Sequence, residues 1–272
     1  MKKSISPLLG ITLAGVLAVL VTSASADIGY QFVNVGDAGN ANDTATGSLY
    51  GGVSYNYSIG TYDVTLNQYA TFLNAVAQTD SFSLYNANMG TDANIRGISR
   101  AGSSGSYSYS VIGSGLRPVT YVSWFDAARF SNWLQNGQLT GQGEVAATTE
   151  QGAYTLNGAT SGIVLKNGNA VDWIPSESEW YKAAYYDPTL NTGAGGYWTY
   201  ATKSNTVPGN NANTPSVANQ ANYNNGVYSV TQSGSYSSSR NYLTPVGSFT
   251  GSASAYGAPT IKMGMCMTGM TL

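Results

Sequence analysis

The chain contains no histidine and a single cysteine, Cys266, among its 272 residues. Without histidine it cannot form a Ser-His-Asp triad, a Cys-His dyad or a histidine-ligated zinc or iron site. Residues 27–258 contain no cysteine, so this part of the chain has no disulfide framework. Cys266 has no histidine to activate it and lies among methionines, so we do not expect it to be a nucleophile.

Charge is also scarce. Charged residues make up 9% of the chain and the net charge is −2, whereas about 25% of residues are charged in an average protein. No block of basic residues is present, so we expect binding neither to nucleic acid nor to an anionic membrane surface. The length and the 42% hydrophobic content are sufficient for a sizeable core.

The first 26 residues have the pattern of a secretory signal peptide. Lys2 and Lys3 precede the apolar run "LLGITLAGVLAVLV", and "ASA" supplies the small residues of a cleavage site that ends at Ala26. The apolar run is shorter than the ~20 residues of a membrane-spanning helix. We therefore predict cleavage after Ala26 and an exported protein, periplasmic or extracellular, with no membrane attachment after cleavage.

Three segments have the apolar spacing of amphipathic helices, namely residues 64–77, 122–134 and 174–188. Thr65 can cap the first, and "SWFD" and "SESE" place a serine three positions before an acidic residue at the start of the others. Pro188 prevents the third helix from continuing. These signals predict three helices.

Shorter segments alternate apolar and polar residues as strands do, at residues 30–35, 53–64 and 117–122. Two long turn-rich segments, 99–115 and 202–226, are interpreted as surface loops or poorly ordered stretches. The helices are scattered among strands and loops instead of alternating with them. This order predicts a single α+β domain.

The carboxylates of the predicted helices have a structural interpretation. Glu177 and Glu179 could form an acid/base pair, but both lie in a first helical turn, where the helix dipole favours carboxylates and Glu179 completes the cap. Asp126 has the same interpretation. The large aromatics near these helices are expected in the core, since no set of basic side chains is interleaved to hold a phosphate backbone. They are Trp124, Phe125, Phe130, Trp133, Trp173 and Trp180.

Ligand-binding motifs are also missing. "TGAGGYW" at residues 192–198 is rich in glycine but lacks the Lys-Ser/Thr of a phosphate loop, so we predict a turn. Scattered Asp and Asn side chains could bind calcium, yet no D-x-D-x-D-G loop is present. We predict no catalytic, cofactor-binding or metal-binding residue in this chain.

Five motifs carry a family resemblance. In order they are "GTYDVTLNQYATFLNAV", "RPVTYVSWFDAARFSNWL", "DWIPSESEWYKAAYYDP", "ANYNN" and "TPVGSF". They resemble the sulfatase-modifying-factor, or formylglycine-generating-enzyme, family, whose members have an E/D-V-T-x-x-Q-Y/F helix, a P-V-x-x-V-S-W-x-D-A helix, an L/I-P-T-E-A-E-W-E helix and T-x-P-V-G-x-F. The resemblance extends from about residue 60 to residue 258. The Tyr/Asn/Ser-rich style and the signal peptide resemble the exported bacterial branch.

The resemblance implies an irregular α+β fold related to C-type lectins. It also implies chemistry that this chain does not carry. Family oxidases bind copper through a pair of C-terminal cysteines and oxidise a protein cysteine, while iron-dependent relatives use a histidine triad. The cysteine positions lie beyond Ala258, and Cys266 is not their equivalent. Copper or calcium is therefore expected only in intact relatives.

The last fourteen residues, 259–272, have a different composition. They hold four of the six methionines, and the family continuation F/Y-G-L-Y-D-M-x-G-N-V-W-E-W is absent after "SAYGA". With suitable synonymous codons, a frame shifted at Pro259 spells Y-D-K-N-G-N-V-Y-D-W-N-D. The unique methionine codon forces four of these letters, including the Gly and Val of G-N-V. We therefore expect residues 27–258 to be an incomplete domain that is followed by an out-of-frame tail.

Two functions remain open for the exported domain. One is a non-catalytic binding or surface domain whose tyrosines recognise a glycan or a peptide. The other is the remnant of a formylglycine-generating-type oxidase that acts on a protein cysteine. The missing cysteines favour the binding domain. Loss of the C-terminal strands is expected to leave apolar faces of the three helices partly uncovered, which predicts low stability.

Overall fold

The computed structural model describes residues 26, 28–258 and 269–271, the last three by their backbone alone. The strands are β1 Phe32–Val35, β2 Tyr57–Gly60, β3 Ile98–Ala101, β4 Ser108–Val111, β5 Tyr186–Asp187, β6 Gly196–Tyr197 and β7 Gly269–Thr271. The helices are α1 Leu66–Val76, α2 Asn88–Thr91, α3 Trp124–Gln135 and α4 Glu177–Tyr185, with a helical turn at Leu190–Gly193. A 3-10 turn lies at Thr44–Thr46 and a π-helical turn at Ala146–Glu150. The predicted α+β class and single domain are confirmed.

The three predicted helices are present, and each begins with a capping box. In α1, Thr65 Oγ1 accepts a hydrogen bond from the Gln68 N–H, and the Gln68 side chain accepts one from the Thr65 N–H. The equivalent pairs are Ser123 with Asp126 in α3 and Ser176 with Glu179 in α4. Each box satisfies N–H groups that the first turn of a helix leaves without a partner.

The main core lies between α1 and α3. The rings of Phe72 and Phe130 meet edge to face with centroids 5.1 Å apart, and Trp133 lies 5.2 Å from Phe72. All three side chains are fully buried. The expectation of uncovered apolar faces is therefore wrong for α1 and α3, because these two helices cover each other.

A small antiparallel sheet has the strand order β1-β2-β7. Phe32 pairs with Gly60 on one side of β2, and Tyr57 pairs with Thr271 on the other. Every residue of β2 is buried, and Tyr57 and Ile59 of this strand pack with Ala183 of α4 in one apolar cluster. Of the predicted tail, residues 269–271 thus supply a strand to this sheet, while residues 259–268 and 272 lie outside the described residues.

Two sequence expectations about loops and strands are corrected. Residues 99–115, interpreted as a loop, contain the antiparallel hairpin of β3 and β4, which packs on α1 through a hydrogen bond of 2.8 Å from Tyr109 Oη to the Ala77 carbonyl. The predicted strand at 117–122 is absent, and only an isolated bridge joins Thr65 to Pro118. Neighbouring loops, and not a long ladder between strands, supply hydrogen-bond partners for the backbone N–H and C=O groups of these short segments.

Residues 202–226 form neither helix nor strand, in agreement with the predicted loop. Side-chain amides hold this region: Asn210 Nδ2 donates to Asn225 Oδ1 at 2.7 Å and to the Val227 carbonyl at 2.6 Å. No helix within the described part of the chain is both long and apolar enough to cross a membrane.

Candidate functional site

A cleft of about 450 Å³ lies where the loops after α4 meet the loops that precede α1 and α3. Its walls are mainly aromatic and aliphatic, with prolines at several corners. The aromatic members are Tyr62, Trp180, Tyr185, Tyr200, Tyr223 and Phe249. A concave apolar site with a few polar groups is the usual form of a ligand pocket.

Every one of the five sequence motifs contributes to the walls of this cleft. Tyr62 belongs to the first motif, Pro118 to the second, Trp180 to the third and Asn222 to the fourth, while the whole Thr244–Phe249 segment is the fifth. These segments are far apart in the sequence, so only the tertiary fold brings them together. None of these residues was predicted as a site residue, although each lies within a motif.

The fifth motif is anchored from two sides. The Val246 N–H donates to the Leu116 carbonyl at 2.8 Å, and Arg117 Nε donates to the Leu243 carbonyl at 3.0 Å. Asn222 Nδ2 donates to the Tyr242 carbonyl at 2.8 Å, which ties the fourth motif to the chain just before the fifth. The cleft is therefore held by one backbone hydrogen bond and two from side chains to carbonyls, and these contacts do not require a regular sheet.

Gly247 separates the cleft from a second cavity of about 460 Å³. Its φ of 72° is in the left-handed region, and an added Cβ would lie 2.9 Å from Cε1 of Tyr62. Both observations require glycine, since a side chain here would be strained and would displace the tyrosine ring. Tyr62, Asp63 and Val246 line both cavities.

The electrostatic character of the cleft is nearly neutral. Asp63 is the one carboxylate among its described lining residues, and none of those residues is cationic. Burial raises the pKa of the Tyr185 phenol, so this group is uncharged at neutral pH. Such walls offer apolar contact and hydroxyl hydrogen bonds but little attraction for a charged ligand.

An aromatic row continues outward from the cleft. The Trp180 ring meets that of Tyr185 edge to face at 5.8 Å, and Tyr181 lies 4.6 Å from Tyr185. Tyr181 Oη donates to Asp43 Oδ2 at 2.8 Å, which fixes the outer end of the row. The apolar face of α4 is thus only partly covered, as expected from the sequence for this helix.

The carboxylates considered as acid/base candidates lie away from the cleft lining and act as caps. Glu179 is buried: its Oε2 accepts from the Ser176 N–H at 2.7 Å and its Oε1 from Tyr55 Oη at 2.8 Å. Asp126 Oδ2 accepts from the Ser123 N–H at 2.8 Å. Glu177 is exposed. The structural interpretation is confirmed for Glu179 and Asp126 by their capping bonds, while Glu177 lies in the first turn of α4 without a capping role.

The aromatic predictions need one correction. Phe130, Trp133 and Trp173 are fully buried, and Phe125 and Trp180 are half-buried. Trp124 is instead 40% exposed, because it is the first residue of α3 and packs only along its edges on Phe125 and Tyr154. The turn predicted at residues 192–198 is confirmed for residues 192–195, with a left-handed backbone at Thr192 and at the preceding Asn191, whereas Gly196–Tyr197 form strand β6.

The described residues contain no set of ligands for the metals that the family resemblance implies. These residues include neither cysteine nor histidine, so they do not fit a thiolate-bound copper ion. No group of three or more acidic side chains that could hold a metal ion occurs among them either. Cys266 lies outside the described residues. We therefore derive no chemistry that passes through a metal.

Comparison with known proteins gives one match. The family described as "Sulfatase-modifying factor enzyme 1-like domain" matches residues 48–260, which is more than half of the chain and includes all five motifs. No curated protein and no solved structure matches the chain significantly. The described walls of the cleft all lie within the matched range. The chain belongs to the family of sulfatase-modifying factor enzyme 1-like domains.

Proposed function

We propose that this chain is an exported binding domain without catalytic chemistry, whose cleft takes an uncharged extracellular ligand, a glycan or a peptide segment. The convergence of all five family motifs on one apolar cleft carries this proposal. Tyrosine and tryptophan walls supply rigid contact area that loses little side-chain entropy on binding. The near-neutral lining favours a ligand without charge.

The absence of catalysis is proposed from the residue inventory. The chain has no histidine, and its one cysteine cannot form the cysteine pair that the family oxidation requires. Asp126 and Glu179 are occupied as caps, and Glu177 is exposed away from the cleft. The described lining residues of the cleft include phenols, prolines, aliphatic side chains and one carboxylate, Asp63, and they contain neither a histidine nor a cysteine that could activate or supply a nucleophile.

Export is supported by the signal-like N-terminus, and the chain just after the proposed cleavage site is anchored in the domain. Ile28 is buried in the main core, and its N–H donates to Gln138 Oε1 at 2.8 Å. Cleavage after Ala26 would leave this anchor intact. Mass spectrometry of protein recovered from the periplasm or the medium should give a chain that begins at Asp27. A full-length N-terminus in the exported fraction would contradict this.

The cleft is tested by blocking it. In Ala221→Trp an indole would occupy the cleft, while Ser103→Trp places the same group on the exposed β3–β4 turn as a control. Calorimetric titration would use neutral hexasaccharides and uncharged tyrosine- or proline-rich peptides as probes. We expect one class to bind the native chain and the control, and to bind Ala221→Trp at least about tenfold more weakly. Absence of binding, or equal binding to all three proteins, would refute the proposal.

A second candidate function is the remnant of a formylglycine-generating-type oxidase that acts on a protein cysteine. The family match ends at residue 260, next to the change in composition at residues 258–259. We propose that the message changes its reading frame there. The nucleotide sequence should then continue in the shifted frame with G-N-V-x-[DE]-W, and an oxidase would further require R-G-G-x-W and a cysteine pair. A gene without that hidden continuation would eliminate this candidate.

A further inference from the structure

A long segment of the chain carries no charged side chain. From Ser204 to Ser239 there is no Asp, Glu, Lys or Arg, and Asn, Ser, Tyr and Gly are frequent. The same residue types dominate antibody recognition loops, where tyrosine gives rigid contact area and Asn and Ser give adaptable hydrogen bonds. This composition suggests a recognition surface for a neutral partner.

Three tyrosine rings form a cluster on this segment. The ring centroids of Tyr228 and Tyr242 are 4.6 Å apart, and the Tyr236 ring lies nearly parallel to that of Tyr242 at 6.3 Å. Tyr236 is 62% exposed, and the other two side chains are half-buried. An exposed tyrosine that stacks beside two supported ones presents an aromatic face to solvent, and we call these three residues the tyrosine platform.

The platform is held in place although part of it is exposed. Tyr236 Oη donates to Asn94 Oδ1, and Asn94 Nδ2 donates to the carbonyls of Ser237 at 2.9 Å and Arg240 at 2.8 Å. The Ser237 N–H donates to Tyr242 Oη at 2.8 Å. Asn94 thus joins the platform to the body of the domain, so that little ordering is left to occur on binding.

The platform borders the cleft. Asn222 lines the cleft and its amide nitrogen donates to the Tyr242 carbonyl, while Leu243, the next residue, lines the cleft as well. A chain-like ligand in the cleft would therefore continue over the platform. The platform itself offers ring faces, hydroxyls and amides. Two exposed arginines lie at its border: the Arg96 carbonyl accepts from Asn241 Nδ2, and the Arg240 carbonyl accepts from Asn94 Nδ2.

We propose that the tyrosine platform binds a neutral oligosaccharide chain by stacking of sugar rings on Tyr236 and its neighbours. Sugar rings present C–H groups that pack on aromatic faces, and their hydroxyls pair with amide and hydroxyl side chains. The uncharged segment itself supplies no cationic side chain to an acidic glycan or a nucleic acid. Because the exposed Arg96 and Arg240 lie at its border, an acidic probe is the necessary comparison. This inference rests on the proposed binding function and specifies its ligand class.

The test uses calorimetric titration of the full chain with cellohexaose, xylohexaose and chitohexaose as neutral probes and hexagalacturonate as the acidic one. Tyr236→Ala should bind the preferred neutral probe about tenfold more weakly, the size expected for one lost stacking contact. Tyr236→Phe keeps the ring and should lose less. Tyr50→Ala, at a 39% exposed tyrosine of the loop before β2, should bind as the native chain does.

The outcomes separate this inference from the proposed function. Neutral binding that falls in Tyr236→Ala but not in Tyr50→Ala supports the platform. Neutral binding that Ala221→Trp weakens while Tyr236→Ala does not would refute the platform and leave the cleft as the site. Binding of hexagalacturonate alone, or of uncharged peptides alone, would refute the ligand class. Absence of any binding would refute both proposals.

Discussion

The buried carboxylate of Glu179 connects several separate parts of the fold by hydrogen bonds. Its two oxygens accept hydrogen bonds from the Ser176 N–H, Tyr55 Oη and Trp173 Nε1, the last at 3.2 Å. It therefore starts α4 and also joins the segment before β2, through Tyr55, to the buried Trp173. Burial, followed by the bond to Glu179, raises the pKa of Tyr55 to about 12.

We predict that Glu179→Gln lowers the free energy of unfolding by about 1–3 kcal/mol, because an amide nitrogen replaces an acceptor that faces only donors. Chemical denaturation measures this. Glu177→Gln changes an exposed carboxylate of the same helical turn, and should stay within about 0.5 kcal/mol of the native chain. Equal losses in both variants would contradict the role assigned to Glu179.

Lys182 makes stability depend on pH. Its side chain is fully buried in α4, Nζ donates to the Asp37 carbonyl at 2.8 Å, and burial lowers its pKa from 10.5 to about 8. Between these two values the unfolded chain binds more protons than the folded chain. The free energy of unfolding should therefore rise with pH through this window, on the order of 1 kcal/mol from about pH 7 to about pH 9.5.

The lysine contribution is isolated by comparison with Lys182→Met. The tyrosines whose pKa values are raised by burial oppose it above about pH 10, but they are common to both proteins. Denaturation at the two pH values should show a larger rise in the native chain than in the variant. Lys166→Met, at an exposed lysine, should behave as the native chain does. The same pH response in all three proteins would contradict the prediction.

At the scale of elements, a buried ion pair joins α3 to the π-helical turn. Arg129 Nε and Nη2 donate to the two carboxylate oxygens of Glu150 at 2.7 and 3.1 Å. The guanidinium carbon lies 3.9 Å from the centroid of the Phe82 ring. Glu150 also accepts from the Gly158 N–H at 2.7 Å. No sequence motif pointed to this pair, because its partners lie on separate elements and neither shows a local pattern.

Removal of one partner should leave the other charge buried. We predict that Arg129→Met costs about 3–5 kcal/mol. The double variant Arg129→Met/Glu150→Gln should recover part of this loss of stability. It leaves no unpaired charge buried, and the glutamine oxygen can still accept the hydrogen bond from the Gly158 N–H. Chemical denaturation checks both, with the exposed Arg96→Met as the control. A double variant less stable than the single one would show that the pair is not coupled in this way.

At the scale of the whole molecule, stability should be distributed unevenly. The α1–α3 core is aromatic and fully buried, whereas residues 204–240 are held mostly by side-chain amides and hydroxyls with few buried apolar groups. Local opening free energies follow buried apolar contact. We predict that hydrogen exchange of the native protein is markedly slower in α1 and α3 than in residues 204–240. Equal protection in both regions would contradict this.

Binding of a hexasaccharide should also change the hydrogen exchange of the protein. If the tyrosine platform and the cleft take one ligand, saturation with a bound hexasaccharide should slow exchange in residues 204–240 and near Asn94, while α3 should stay unchanged. Asn94 is the expected reporter, since its side chain joins the platform to the body of the domain. Slower exchange confined to α3 would place the ligand elsewhere.

Local patterns were sufficient for α1, α3 and α4, but they did not predict the short helix α2 or the π-helical turn at Ala146–Glu150. The starts of α1, α3 and α4 lie where Thr65, Ser123 and Ser176 predict them, because a capping box is a contact between residues three positions apart. The β3–β4 hairpin was missed, since "SRAGSSGSYSYSV" is rich in turn residues and its strands are stabilised by packing of Tyr109 on α1. The exposure of Trp124 was likewise a matter of where α3 begins.

The sequence by itself determined the three longest helices, the α+β class, the family and the lack of histidine and cysteine among the described residues. These properties depend on residue identity and on spacing within a few positions. Only the tertiary structure decided that the five motifs surround one cleft and that Tyr228, Tyr236 and Tyr242 form one platform. Such contacts depend on how loops distant in sequence pack together, which no local pattern encodes.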